Sequence, residues 1–174
     1  MNAFSRLAWI GPIILAAIVV SPAAAEDVAV TGIRAVHRSG QTFVTWNDAA
    51  EGEAGAKHRY SLYRSERPIT ADNLAEAELC FRGVLHSSAK LYGAAFSSED
   101  RLDPTRPYAT MVAGGAPLPP WSGLAVYTVR RPGKAYYAVV ATDLAFAVLS
   151  RVVPGESATT EPVDETPAPI QHRR

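Results

Sequence analysis

The chain has 174 residues, with 17 basic and 17 acidic side chains and a formal net charge of zero. Because charges of both signs are balanced and interleaved, no long-range field steers the protein toward nucleic acid or an anionic membrane, and neither is expected as a partner. Hydrophobic residues make up 48% and charged residues 20% of the chain, which is the composition of one ordinary globular domain.

The N-terminal residues have the order of a secretory signal peptide over residues 1–25. Arg6 precedes an apolar run from Leu7 to Val20, and the small residues Ala23-Ala24-Ala25 follow it. This order predicts cleavage after Ala25 and export to the periplasm or the extracellular space. The alternative is an uncleaved membrane anchor, but the run is shorter than the ~20 residues that a bilayer core requires. Membrane attachment is therefore expected only if the leader is not removed.

Residues 134–143 are the clearest strand of a predicted all-β domain that covers residues 26–153. Tyr137, Val139 and Ala141 fall on one side of an extended chain and predict the face toward the core. Around this strand, further strands or extended segments are predicted over residues 28–37, 41–47, 58–65, 83–86, 108–112, 123–131 and 146–153.

The strand over 41–47 contributes Trp46 to the core, because one buried indole supplies much of the apolar area of a small sandwich. Pro132-Gly133 predicts a tight antiparallel hairpin between 123–131 and 134–143.

One helix and one acidic loop interrupt the predicted strands. Thr70 is a suitable N-cap and helix-forming residues follow it, so a short helix is predicted over 71–79. Residues 48–57 are rich in Ala, Gly and Glu without a period, and predict a surface loop. Its acids, Asp48, Glu51 and Glu53, are expected to lie in solvent.

Cys80 is the only cysteine, so an exported chain has to fold without an internal disulfide. Its neighbours Leu79 and Phe81 favour a small, buried, apolar role, and an intermolecular disulfide is the alternative. From residue 154 to residue 174 the composition changes to Pro, Glu, Thr, Ala and Ser, which predicts a disordered tail or linker.

Three short motifs resemble the fibronectin type III family, an immunoglobulin-like β-sandwich of about seven strands. Val44-x-Trp46, Tyr60-x-Leu62 and Tyr137-x-Val139-x-Ala141 stand where that family places inward-facing residues on its B, C and F strands. The resemblance implies a sandwich with these side chains between its sheets.

A second resemblance covers nearly the whole mature chain. The runs HRSGQTFVTWND, YSLYRSERPIT and SGLAVYTVRRPGKAYYAVVATD are similar to the N-terminal region of bacterial secreted hydrolases and polysaccharide-degrading proteins. In those proteins such a sandwich precedes an α/β-hydrolase-like domain. The resemblance implies an accessory module, or the remnant of a truncated secreted hydrolase, and it carries over no catalytic residue.

Residues suited to catalysis or metal binding are not arranged in a recognisable motif. Neither Ser39 nor Ser122 has the leading glycine of a nucleophile elbow. The spacing of the histidines matches no metal-binding motif, and the acids of SSEDRLD predict a solvated turn rather than a calcium-binding loop. These histidines and acids are His37, His58, His86, Glu99, Asp100 and Asp103. The sequence thus predicts a protein that is not an enzyme, without cofactor or metal.

The remaining candidate is a binding surface in the irregular segment from Ser87 to Gly123. Trp121, Tyr108 and Tyr92 have aromatic faces that stack on sugars or anchor a protein partner, although Trp121 in PLPPWSG is also suited to packing over the open end of the sandwich. Exposed edge strands offer β-augmentation as another route to a protein partner. We therefore expect a non-catalytic accessory or interaction module, with carbohydrate binding as the alternative. A third hypothesis is that the protein is a small hydrolase in its own right.

Overall fold

The computed structural model describes residues 28–90, 105, 107–112 and 114–169. They form seven strands: β1 Thr31–Arg38, β2 Gln41–Asn47, β3 Arg59–Ser65, β4 Glu78–Leu85, β5 Ser122–Thr128, β6 Gly133–Thr142 and β7 Val163–Glu165. The helical residues are α1 Gly52–Ala56 and a 3-10 turn, Leu74–Glu76. The predicted leader lies outside the described residues. Within them, no helix is long and apolar enough to cross a membrane.

Two antiparallel sheets face each other, one with the order β1-β2-β5 and the other with the order β4-β3-β6-β7. The predicted all-β sandwich is therefore confirmed. The predicted hairpin between β5 and β6 is wrong, because these strands lie in different sheets. The main-chain N–H of buried Val129 donates to the carbonyl of Gly40 (2.9 Å), which keeps the end of β5 with β2 while the chain crosses to the other sheet.

Trp46 and Tyr137 lie in the layer between the sheets, as predicted, at 1% and 0% exposure. The Trp46 ring lies 5.6 Å from that of Tyr60 at a tilted angle of 50°, a favourable geometry for two aromatic rings. The rest of this core consists of smaller apolar residues, chiefly Val30, Val44, Leu62, Ala125, Val139 and Ala141. Residues from both sheets thus meet in one dry layer.

Both faces of β6 are buried, whereas the sequence predicted only one face on the core. Ala138 and Val140 on the outer face pack with Ile69, Val152 and Ala158. These three residues belong to segments outside the strands, which cover the outer face of the four-stranded sheet. Burial on both faces explains why the strand has few polar residues.

Gly123 allows the two strands beside Trp46 to pack closely. It is paired with Trp46 across β2 and β5, and a Cβ atom at this position would lie 2.0 Å from the indole Cε2. Any larger residue would force the ring or the strand to move.

The helix predicted over 71–79 is wrong. Only the 3-10 turn forms, and residues 78–85 belong to β4. Asn73 is the cause of the tight turn: its side-chain oxygen accepts the N–H of Thr70 (2.8 Å) and its amide donates to the carbonyl of Pro68 (2.9 Å). The pairing of β4 with β3 then outweighs the local helix propensity of the following residues.

The strand predicted over 146–153 is also wrong. The chain after β6 forms a turn in which the Asp143 carboxylate accepts the N–H groups of Ala145 and Ala147, both at 2.8 Å. One isolated bridge joins Thr142 to Val148. The strand predicted over 108–112 likewise consists of isolated bridges, which are Lys90–Tyr108 and Thr110–Pro117.

The stretch predicted as a disordered tail from residue 154 is folded as far as residue 169. Strand β7 pairs with the first residues of β6, from Gly133 to Ala135. The main-chain N–H of Thr166 donates to Nε2 of His37 in β1 (3.1 Å). This segment therefore closes one side of the sandwich by connecting β6 to β1.

Candidate functional site

The aromatic end of the sandwich contains two of the three residues predicted to bind a ligand. We use this name for Trp121, Tyr108, His86 and Lys90. The Trp121 ring stacks on that of His86, with centroids 5.4 Å apart and planes 19° from parallel. The Lys90 ammonium lies 5.4 Å from the Trp121 ring and 5.5 Å from the Tyr108 ring. Tyr92 lies outside the described residues.

Trp121 has an unusual backbone conformation and is bonded through its main-chain N–H to a side chain. Its φ is +59°, in the left-handed region that favours glycine, and its N–H donates to the Tyr108 hydroxyl (2.8 Å). The indole is partly buried. The structure therefore brings Trp121 and Tyr108 together, and one face of the indole packs on the sandwich.

Asp48 lies beneath this end, and the prediction that it is a solvated loop charge is wrong. Its side chain is fully buried, whereas Glu51 and Glu53 are exposed as predicted. The carboxylate accepts the Trp46 indole N–H (3.1 Å) and the main-chain N–H of Ser87 (2.6 Å), and it lies 3.1 Å from Nδ1 of His86. Local composition gave no sign of this burial, because His86 and Ser87 follow the distant strand β4.

The buried Asp48–His86 pair connects the end of β2 to the end of β4. Burial, followed by the charge of Asp48, raises the pKa of Tyr60, so its hydroxyl keeps its proton. Nδ1 of His86 lies at ion-pair distance from the Asp48 carboxylate but outside hydrogen-bond geometry, and Nε2 has no hydrogen-bond partner among the described residues.

The other histidines serve similarly local contacts. Nδ1 of His37 lies 3.1 Å from the Thr42 hydroxyl, and the His58 side chain is buried beside α1. Within the described part of the chain, no group of three His, Cys, Asp or Glu side chains is placed to hold a metal ion. The acidic run Glu99, Asp100 and Asp103 lies outside the described residues.

Glu165 of β7 is a second buried acid that sequence reasoning missed. Its carboxylate accepts hydrogen bonds from the Thr42 hydroxyl (2.5 Å), from the Tyr137 hydroxyl and from the Arg64 guanidinium (2.7 and 3.0 Å). Burial alone raises the pKa of Glu165, but these hydrogen bonds and the charge of Arg64 outweigh burial and lower it below the ordinary value. The acid therefore stays ionised and joins both sheets.

The β4–β5 groove lies on the side of the sandwich opposite β7. Strands β4 and β5 are edge strands of the two sheets, and the space between them forms two adjoining cavities of about 350 and 650 Å³. We use this name for the surface lined mainly by Arg64, Glu78, Leu79, Cys80, Phe81, Val126, Tyr127 and Arg130. A cavity of this size accommodates several side chains of a partner.

Tyr127 lines both cavities of the groove. Its hydroxyl donates to Glu78 (3.4 Å), and the Arg64 guanidinium carbon lies 5.5 Å from the ring centre. Cys80 is half-buried beside it, less than the full burial predicted. Burial, with a smaller effect of the Glu78 charge, raises the pKa of the Cys80 thiol to about 12. The thiol is therefore protonated at neutral pH and unsuited to act as a nucleophile.

Comparison with known proteins identified no family model, curated protein or solved structure that matches the chain. What the protein does is therefore inferred from the geometry of its own residues.

Proposed function

We propose that this protein is an exported, non-catalytic interaction module of the fibronectin type III-like kind, which binds a protein partner through the β4–β5 groove. It corresponds to the accessory domain that the sequence resembles, the domain that precedes the catalytic domain of a secreted hydrolase.

The strand order supports the family part of the proposal. Immunoglobulin-like sandwiches keep their fourth strand in the sheet of the first two or place a strand beside C in the opposite sheet. Here β4 pairs with β3 in the sheet of β6 and β7, which is the second arrangement. Trp46 on β2 and Tyr137 on β6 occupy the inner layer, where the resemblance places them.

The pair of edge strands beside one groove is the observation that carries the functional part. Edge strands present unpaired N–H and C=O groups, and a partner segment adds to them by main-chain hydrogen bonds. On the opposite side of the sandwich, β7 and the segment around it already cover the edge by contacting β1 and β6. A partner strand therefore has its best access at β4 and β5.

The buried acids give further support for a role in binding rather than catalysis. Asp48 contacts Trp46, His86 and Ser87, and Glu165 is satisfied by Arg64 and two hydroxyl groups. Both acids have side chains that are 0% exposed. Acids held in this way connect strands of the fold. The accessible β4–β5 groove is lined instead by the protonated Cys80 thiol and by exposed charged side chains.

Site-specific photo-crosslinking of the full chain in its exporting host tests the proposal. A photoreactive amino acid at Thr128, the exposed end of β5, is expected to give an adduct with one discrete protein. The matched control is the same amino acid at Val36, which is 49% exposed on β1 and is expected to give none. The proposal fails if Thr128 and Val36 give the same adducts, or if the captured protein does not bind the purified chain.

Carbohydrate binding at the aromatic end is the second candidate, favoured by the partly exposed indole of Trp121 beside Tyr108 and Lys90. Glycan-array binding that is lost in Trp121→Ala but kept in Phe146→Ala would establish it. Phe146 is the matched control because it is a 45% exposed aromatic residue that does not belong to the aromatic end. Turnover of ester or glycoside substrates by the purified chain would instead favour a small hydrolase and would contradict both binding proposals.

A further inference from the structure

The main-chain groups of β5 face the groove at every second residue. Ser88 Oγ accepts the N–H of Leu124 (2.8 Å) and donates to its carbonyl (3.1 Å), and the Ser122 carbonyl accepts the N–H of Ala89 (3.2 Å). These groups point away from β2. Because this direction alternates along an antiparallel strand, the N–H and C=O groups of Val126 and Thr128 point the same way.

Among the described residues, the part of the β5 edge without a hydrogen-bond partner is short and has defined ends. No hydrogen bond to the N–H or C=O of Val126 or Thr128 is found in the described part of the chain. At Leu124 the edge is closed by Ser88, and beyond Thr128 the chain continues into the exposed residues Arg130 and Arg131. The edge therefore has room for a short extended segment, of about five residues at roughly 3.3 Å each.

The side chains along the groove change from charged to apolar. Glu78 is already paired with Arg64 (3.7 Å) and Tyr127 (3.4 Å), and Arg64 is held by Glu165. In contrast, Arg130 and Arg131 have no ion-pair partner among the described residues. Both arginines are exposed, and a guanidinium group binds carboxylates with paired, charge-assisted hydrogen bonds.

Apolar side chains line the groove beside these charged residues. Leu79 is 38% exposed on the edge strand β4, and it lines the cavity together with Phe81 and Val126. An added strand points alternate side chains into this space, because successive residues of a strand face opposite sides. Those inward side chains contact Leu79 and Phe81 and are expected to be apolar.

We infer that the β4–β5 groove binds an extended segment of a partner protein that adds antiparallel to β5, with acidic residues at its N-terminal end and alternating apolar residues behind them. Antiparallel addition places the N-terminal end of the segment beside Arg130 and Arg131, since β5 runs toward them. This inference rests on the proposed function and specifies the chemistry of the partner.

Binding of a designed probe peptide to the full chain tests the inference. The probe is acetyl-Asp-Glu-Val-Thr-Val-Ser-Val-amide, and the control peptide has Lys-Lys in place of Asp-Glu. Amide chemical shifts of the isotope-labelled protein are expected to change at Val126 and Thr128, and their amides are expected to exchange more slowly with solvent. Changes confined to β1 or to the aromatic end would overturn the assignment.

Charge exchange identifies the role of the two arginines. The double variant R130E/R131E is expected to bind the acidic probe about tenfold or more weakly, and to bind the Lys-Lys peptide better than the wild type does. The matched control is R151E, an exposed arginine on another segment, which is expected to leave the affinity unchanged. An affinity of R130E/R131E within about twofold of the wild type overturns the inference.

The backbone contribution is tested separately by Val126→Pro. Proline removes the N–H that faces the groove and leaves the hydrogen bonds between β5 and β2 in place. Because Val126 also lines the cavity, Val126→Ala is the matched control: it shortens the side chain, keeps the N–H and is expected to bind the probe more tightly than Val126→Pro does. Loss of probe binding by a variant with unchanged circular dichroism is expected, and full retention of binding would contradict strand addition.

The outcomes separate this inference from the proposed function. Crosslinking at Thr128 without charge-dependent probe binding would refute the acidic segment and leave the interaction module intact. Absence of both would refute the two together. Concentration-dependent dimerisation that is abolished by Val126→Pro would identify a second copy of the chain as the occupant, and would overturn the inference.

Discussion

Replacing Glu165 by alanine removes the acid that joins the two sheets at the closed side of the sandwich. The side chain is 0% exposed and accepts hydrogen bonds from Arg64, Thr42 and Tyr137. In the variant, the Arg64 guanidinium loses its closest counter-charge and both hydroxyl groups lose their acceptor.

The loss in the free energy of unfolding caused by Glu165→Ala depends mainly on the Arg64 charge that is left behind. Removing one partner of a buried ion pair costs about 3–5 kcal/mol, because the other charge is left unpaired. The Arg64 side chain keeps 14% exposure and has Glu78 at 3.7 Å as a second partner, so part of its charge stays compensated. We therefore expect a loss near the lower limit, about 3 kcal/mol of the free energy of unfolding.

Urea unfolding at neutral pH, followed by tryptophan fluorescence, measures this loss. The matched control is Asp164→Ala, the preceding residue of β7, whose side chain is 83% exposed and 4.0 Å from the Lys134 ammonium. An exposed pair of this kind contributes about 0–1 kcal/mol. A loss below about 1 kcal/mol in Glu165→Ala, or equal to that of Asp164→Ala, would refute the reasoning.

The effect of Glu165 also depends on pH in a defined direction. Because its pKa in the folded protein is lower than the ordinary value of 4.5, the stabilisation is fully present above 4.5 and is lost as the pH falls through the folded-state pKa. The difference in stability between the wild type and Glu165→Ala is therefore expected to shrink between neutral pH and about pH 3. A constant difference over this range would contradict the ionised state of the acid.

Three further outcomes are expected. Gly123→Ala places a Cβ against the Trp46 indole and is expected to lower the free energy of unfolding by about 1–3 kcal/mol through overpacking. The control Gly133→Ala has no atom within 4 Å of its Cβ and is expected to leave the urea midpoint unchanged. Equal effects of the two substitutions would contradict the close packing at Gly123. Removing residues 154–174 deletes β7, and the thermal unfolding of this variant is expected to lose its cooperative transition. An unchanged transition would instead support the prediction that residues 154–174 are a disordered tail. Iodoacetamide is expected to alkylate Cys80 at least about tenfold faster in denaturant than in buffer at pH 8, because the pKa of about 12 in the folded protein leaves little thiolate. Mass spectrometry measures the two alkylation rates, and equal rates would contradict this expectation.

The central strand and its core residues were predictable because their signal is local. The alternation of Tyr137, Val139 and Ala141 indicates a strand with one apolar face regardless of what packs against it. Trp46 was assigned to the core because one buried indole supplies much of the apolar area of a small sandwich. Both predictions are confirmed, since these side chains are buried between the two sheets.

The candidate site was predictable only in part. Trp121 and Tyr108 do lie together, but the packing of the indole on His86 depends on how the ends of β4 and β5 approach each other. The predicted helix over 71–79 failed because pairing of β4 with β3 outweighed local propensity. The β4–β5 groove has no sequence signal, because it is formed by strands of different sheets.

The sequence by itself determined that β2, β3 and β6 are extended and that Trp46 and Tyr137 face the core, because side chains of a strand alternate between its two faces at every second residue. Only the tertiary structure decided the burial of Asp48 and Glu165. An acid is stable in the interior when its partners are in place, and the Thr42 hydroxyl that binds Glu165 is 123 residues away in the chain. Composition alone therefore indicated solvent for both acids, whereas the fold supplied the donors that keep them inside.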